Sequence, residues 1–133
     1  MKIREILNMT EMSNLNKDRT GIDYPIWIGN NIGSHGPRIK VSNIRGKMND
    51  SDVFAIQFSK SGELEITTDT KSKRKISNKD LKKIYQWIRL NLETLMSMWY
   101  LVKFNQTMVS IENDDGTTTD ANFDDLKNKL ISI

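Results

Sequence analysis

Seven cations crowd into residues 71–83: Lys71, Lys73, Arg74, Lys75, Lys79, Lys82 and Lys83, against Asp80 alone. A second run, from 38 to 47, carries Arg38, Lys40, Arg45 and Lys47 with no acid. Clustered cations on one surface neutralise phosphates, and an aromatic ring beside them stacks on a base. Trp87 and Trp27 are the candidate rings, whereas Tyr85 flanks the apolar stripe of its helix and reads as core. The competing reading is a solvated face, since short basic runs are common.

The segment Gly29-Asn-Asn-Ile-Gly-Ser-His-Gly-Pro37 is a second place where chemistry could sit. Its glycines, Gly33 and Gly36 around His35, could form a nest of backbone N–H groups for an anion, with Arg38 and Lys40 just beyond. It is not a phosphate-binding P-loop, because no Gly-Lys-Ser/Thr follows and the loop leads into a strand. His35 is the only histidine, and spacing fixes no carboxylate partner for it as a general base. There is no cysteine, which excludes disulfides, thiolate metal sites and cysteine nucleophiles. Asn113, Asp114, Asp115, Gly116 and Asp120 resemble part of a calcium loop, but the glutamate at its twelfth position is missing. An Asp-Gly hairpin turn explains the same residues. No catalytic constellation emerges, and neither a metal nor a cofactor is expected.

The elements that must position the basic residues follow from periodicity. Leu81, Ile84, Ile88, Leu92, Leu95, Trp99 and Val102 recur every three or four residues, one apolar stripe on a helix from about Ser77 to Phe104. Ser77 is the expected N-cap, with Asp80 completing a capping-box-like pair, and Asn91 marks a possible break. Lys79, Lys82, Lys83, Gln86 and Arg89 form the opposite, polar stripe. Beyond Leu90 the helix is apolar nearly all round, so it needs cover from a second subunit or a C-terminal helix. A homodimer is the expectation.

Upstream, residues 22–28, 38–42 and 63–67 alternate as strands, and 53–58 is the most apolar strand candidate. Pro25 lacks a ladder donor and predicts an edge strand. Residues 108–111 predict a further strand, 113–116 a turn, and Asp120 the cap of a terminal helix burying Phe123, Leu126 and Leu130. The chain therefore predicts an α+β domain: a small antiparallel sheet of three to five strands, a long amphipathic helix and a short C-terminal helix. Residues 1–20 read as an N-terminal helix or mobile arm, and 21–133 as one domain.

The stretch from Lys75 to Trp99 resembles the helix of a small bacterial family found in phages, plasmids and toxin–antitoxin-like operons. That helix carries Leu, Ile, then Asn or His, then Leu and Trp; Leu81, Ile84, Asn91, Leu95 and Trp99 match. The family's Pro-Pro-His-x-His-Val strand entry corresponds to His35-Gly-Pro-Arg-Ile-Lys-Val41, with Arg38 and Lys40 where the family has histidines. That departure removes any metal or acid–base role for such a pair. The resemblance spans residues 22–104 and implies architecture more than activity. The arrangement is also similar to the single-stranded-DNA-binding transcription-coactivator fold, which implies nucleic acid and a dimer.

Net charge is only +3, yet Glu112, Asp114, Asp115, Asp120, Asp124 and Asp125 gather between 112 and 125 without a base. That asymmetry points to one polyanion-facing side. No apolar run approaches the roughly 18 residues of a membrane span. Arg4, Glu5 and Asn8 interrupt any signal-peptide core. A cytoplasmic protein, of a cell or of a phage-infected host, is expected. Its partner is nucleic acid, or alternatively a protein, as for an antitoxin-like or host-takeover module.

Overall fold

The computed structural model describes residues 14–28, 36–49, 51–67, 70 and 72–133. Residues 1–13 of the expected N-terminal helix or arm, Gly33, His35 and Lys71 lie outside the described residues. The fold is α+β. A five-stranded antiparallel sheet has the order β1-β2-β3-β4-β5, and a separate hairpin pairs β6 with β7.

The strands are β1 (Asn14–Leu15), β2 (Ile26–Ile28), β3 (Arg38–Ser42), β4 (Val53–Phe58) and β5 (Leu64–Ile66). Cross-strand register sets the faces. Ile26 pairs with Val41 and Val41 with Phe54; Ile28 pairs with Ile39 and Ile39 with Ile56. All are buried, so this face is the core. One residue over, Trp27 opposes Lys40 and Arg38 opposes Gln57 on the outer face, as a period of two requires.

Pro25 precedes β2 rather than lying within it, so no ladder donor is lost, and β1 takes the edge position instead. The 14–20 segment, expected to belong to an arm, builds β1 and a short helix α1 (Lys17–Thr20). Leu15 and Thr20 are buried there. Its polar composition concealed that single apolar anchor and a Thr20 hydroxyl bonded to the Ile22 amide at 2.9 Å.

Helix α2 (Asn78–Leu90) is capped by Ser77, whose Oγ accepts from the Asp80 amide at 3.1 Å. Asp80's carboxylate does not complete a box. It accepts from the Tyr24 hydroxyl and pairs with Arg45. Helix α3 (Leu92–Lys103) follows a break at Asn91, where Asn91 Nδ2 donates to the Trp87 carbonyl at 2.9 Å.

The buried face of the two helices is Ile84, Trp87, Ile88, Asn91, Leu95, Met98 and Leu101. It lies one position N-terminal to the expected stripe in its second half, so Leu92, Trp99 and Val102 are only half-buried. The break at Asn91 shifts which residues turn inward, and Asn91 itself is buried. Beyond α3, β6 (Val109–Glu112) and β7 (Thr118–Ala121) form the hairpin, and α4 (Phe123–Lys129) packs on α3. Asn122, not Asp120, caps α4, in a full capping box with Asp125. Asp120 sits in β7 and accepts from Ser110 Oγ at 3.0 Å.

Candidate nucleic-acid interface

Asn43, at the end of β3, joins the two basic runs. Its Nδ2 donates to the Lys73 carbonyl at 3.0 Å and to Asp52 Oδ1 at 3.0 Å. Its Oδ1 accepts from the Lys75 amide at 2.8 Å. A side-chain amide can mimic a peptide group in this way and hold an extended strand in register. Ser72 Oγ donating to the Ser51 carbonyl at 3.1 Å adds a second tie. The 72–75 segment is thereby pinned against the β3–β4 connection that carries Arg45 and Lys47, immediately before the start of α2.

That connection is itself ordered. Ser42 Oγ donates to the Lys47 carbonyl at 2.6 Å and accepts from the Ile44 amide at 3.1 Å. Gly46 takes φ +68° and donates its N–H to the Asp23 carbonyl at 2.9 Å.

Carboxylates neutralise part of this charge. Arg45 pairs with Asp23 and, at 3.3 Å, with Asp80, while its guanidinium lies 5.0 Å from the Tyr24 ring centre. Lys17 Nζ is 2.9 Å from Asp23 Oδ1, and Lys75 Nζ is 3.0 Å from Asp52 Oδ1. The Lys17 ammonium, then Arg45, holds Asp23 below its ordinary value. The hydrogen bond from Lys75, then that from Asn43, does the same for Asp52. Burial, followed by the hydrogen bond to Asp80, pushes Tyr24 up. Arg74 Nη1 donates to Asn78 Oδ1 at 2.7 Å. Lys47, Lys73, Lys79, Lys82 and Lys83 are exposed and form no ion pair among the described residues.

Four expected site residues fall elsewhere. Trp87 is fully buried and cannot stack on a base. It lies a turn from both Ile84 and Asn91 on the face that packs against the sheet. Arg38 stands at the far end of β3 from Asn43, roughly 16 Å away at about 3.3 Å per residue. Lys40 lies between them on the outer sheet face, its ammonium 5.0 Å from the Trp27 ring centre, so that ring already carries a cation. Gly36 does not take positive φ, and a Cβ there would only touch the Gln57 amide at 3.5 Å.

Sequence reasoning missed Asn43 and the three aspartates around the cations. Asp23 and Asp80 are distant in sequence from Arg45, as Asp52 is from Lys75, and only the fold brings them near.

The acidic segment lies beside a cleft that also carries lysines. Lys60, Leu92, Glu93, Ser110, Glu112 and Lys129 line a cleft of about 540 Å³ between α3, α4 and the hairpin. It lies at the Leu90 end of α2, roughly 20 Å along that helix from Ser77. Asp115 is spent on its own turn, accepting from the Thr117 amide at 3.0 Å and hydroxyl at 2.6 Å. Among the described residues no group of histidines or carboxylates is placed to hold a metal ion. No helix among them is long and apolar enough to cross a membrane. No protein-family model, curated protein or solved structure matches this chain.

Proposed function

We propose that this chain is a non-enzymatic nucleic-acid-binding module whose interface is the end of the molecule held together by Asn43. The observation that carries the reading is that double clamp on Lys73 and Lys75, which sets Arg45, Lys47, Lys73, Arg74 and Lys75 beside the entrance of α2. Helix α2 supplies a second support. Cations in the first turns of a helix run against its macrodipole and cost stability. Lys79, Lys82 and Lys83 occupy those turns with only Asp80 to complement the dipole, an arrangement suited to an anion arriving from outside. Phosphates would displace solvent from Lys47, Lys73, Lys79, Lys82 and Lys83. Asp23, Asp52 and Asp80 would keep Arg45 and Lys75 in place rather than compete for the ligand.

Such a role places the protein in the cytoplasm of a cell or of a phage-infected host. Substituting Lys73, Lys82 or Lys83 by alanine should weaken oligonucleotide binding to a similar extent on every sequence. Each should also reduce the slope of log K against log salt by about one. Unchanged slopes would show these lysines to be a solvated face. The alternative, a protein-interaction module of the antitoxin-like or host-takeover kind, is favoured by a specific feature: the two-stranded β6–β7 hairpin exposes Glu112, Asp114 and Asp120. Neutralising those three should then abolish partner capture and leave oligonucleotide binding intact.

A further inference from the structure

Asn91 is buried at the α2–α3 break, and two of its three side-chain hydrogen bonds go to a distant segment. Its Oδ1 accepts from the Ile131 amide at 2.7 Å, and its Nδ2 donates to the Ile131 carbonyl at 2.9 Å as well as to Trp87. Two residues on, the Ile133 amide donates to the Thr20 carbonyl at 2.9 Å. Gly21, at φ +78°, lies flat beneath that point, and a Cβ on it would collide with the Ile133 carbonyl. Leu130 is buried, whereas Ile131 and Ile133 are 56% and 45% exposed. Residues 130–133 are thus held by their backbone, with one leucine as anchor and the following side chains turned to solvent.

This is how a protein binds an extended peptide: main-chain hydrogen bonds supply affinity and one pocket supplies selectivity. We propose that Asn91, Thr20 and Gly21 form a peptide seat, filled in cis by residues 130–133, that accepts an extended partner segment carrying a leucine before the residue read by Asn91. The seat reads the N–H and C=O of a residue whose side chain points away, so it tolerates variation there. Its occupant has no helix or sheet of its own to leave behind, and segments held by few contacts open below the global unfolding threshold. A partner segment can therefore take its place without unfolding the domain. At Gly21 the seat borders the basic end, where Lys17, Asp23, Asp80 and Lys83 line the same small cavity, but the proposal does not depend on the nucleic-acid reading.

The test uses the full chain and a labelled peptide, Lys-Asn-Lys-Leu-Ile-Ser-Ile, identical to residues 127–133. Ile131→Pro removes the N–H that Asn91 accepts, one of the three hydrogen bonds that hold the segment, and so weakens its occupancy in cis; far-UV circular dichroism checks the fold. Fluorescence anisotropy should show this variant binding the peptide at least about tenfold more tightly than the wild-type chain, since competition in cis lowers apparent affinity. The same peptide N-methylated at its first isoleucine should not bind. A folded Ile131→Pro chain that ignores the peptide, or that takes the N-methylated one equally, would overturn the proposal. Hydrogen exchange on the wild-type chain gives an independent reading that needs no variant. The Ile131 and Ile133 amides should exchange faster than the Ile39 and Ile56 amides of the central strands. Equal rates would mean that the segment leaves only on global unfolding, and the seat would be a fixed part of the fold.

Discussion

Two asparagines do similar work at opposite ends of α2. Asn43 holds the backbone of Lys73 and Lys75, and Asn91 holds that of Ile131. Removing a buried partner strands the backbone groups it satisfied, so Asn91→Ala should lower unfolding stability by about 1–3 kcal/mol in urea denaturation. Gly21→Ala should destabilise by more than about 1 kcal/mol, because φ +78° disfavours any Cβ and this one meets Ile133. The carboxylates set an acid limit. Asp23 and Asp52 are held below their ordinary value of 3.8 in the folded chain. The folded state therefore binds those protons less readily than the unfolded chain. Their stabilisation is present above pH 3.8 and fades as pH falls through the lowered values. Thermal melts should show Asp52→Asn with a flatter acid limb than wild type, and a parallel limb would contradict the Lys75 pairing. None of these roles was legible from residue type alone. Asparagine reads as a weak helix former or a loop residue until its distant backbone partner is known.

Helices α2 and α3 show how far periodicity carries and where it stops. Ile84, Ile88 and Leu95 as core followed from spacing, while Ser77 as N-cap and the break at Asn91 followed from residue type. The second half of the stripe did not, because the break shifts which residues face the sheet, and Met98 and Leu101 replace Trp99 and Val102. Trp87 is the sharpest case. Two equally good lines of apolar residues pass through Ile84, and only packing against the sheet decides between them. Its truncation separates core from surface on one helix. Trp87→Ala should cost about 3–5 kcal/mol in denaturant unfolding, as loss of a fully buried aromatic does. Lys82→Ala should stay within about 0.5 kcal/mol. A mild Trp87→Ala would mean that the helix does not pack as described. The sheet was read more completely: 38–42 alternates as expected up to Val41, and 53–58, the most apolar candidate, is buried at every position but Gln57. Strand β1 escaped notice because two residues are too few for a pattern.

At the scale of the whole molecule, charge segregation in sequence is only partly kept in space. Asp23, Asp52 and Asp80 sit among the cations near the start of α2. Lys60 and Lys129 line the same cleft as Glu93 and Glu112. The apolar surplus of α3 is partly covered by α4 and the hairpin. Leu90, Tyr100, Phe104 and Met108 remain exposed, with the Tyr100 and Phe104 rings 5.0 Å apart. Pairing of two copies through this patch predicts a dimer in sedimentation equilibrium that Phe104→Glu converts to monomer; a wild-type monomer at high concentration would refute it. The central claim concerns the opposite end, and one measurement addresses it most directly. Fluorescence anisotropy of labelled single- and double-stranded oligonucleotides, titrated with the wild-type chain between low and moderate salt, should give saturable binding. Its affinity should fall linearly on a log–log plot with a slope of several units, as release of several counterions requires. Absence of binding at the lowest salt, or binding indifferent to salt, would contradict it.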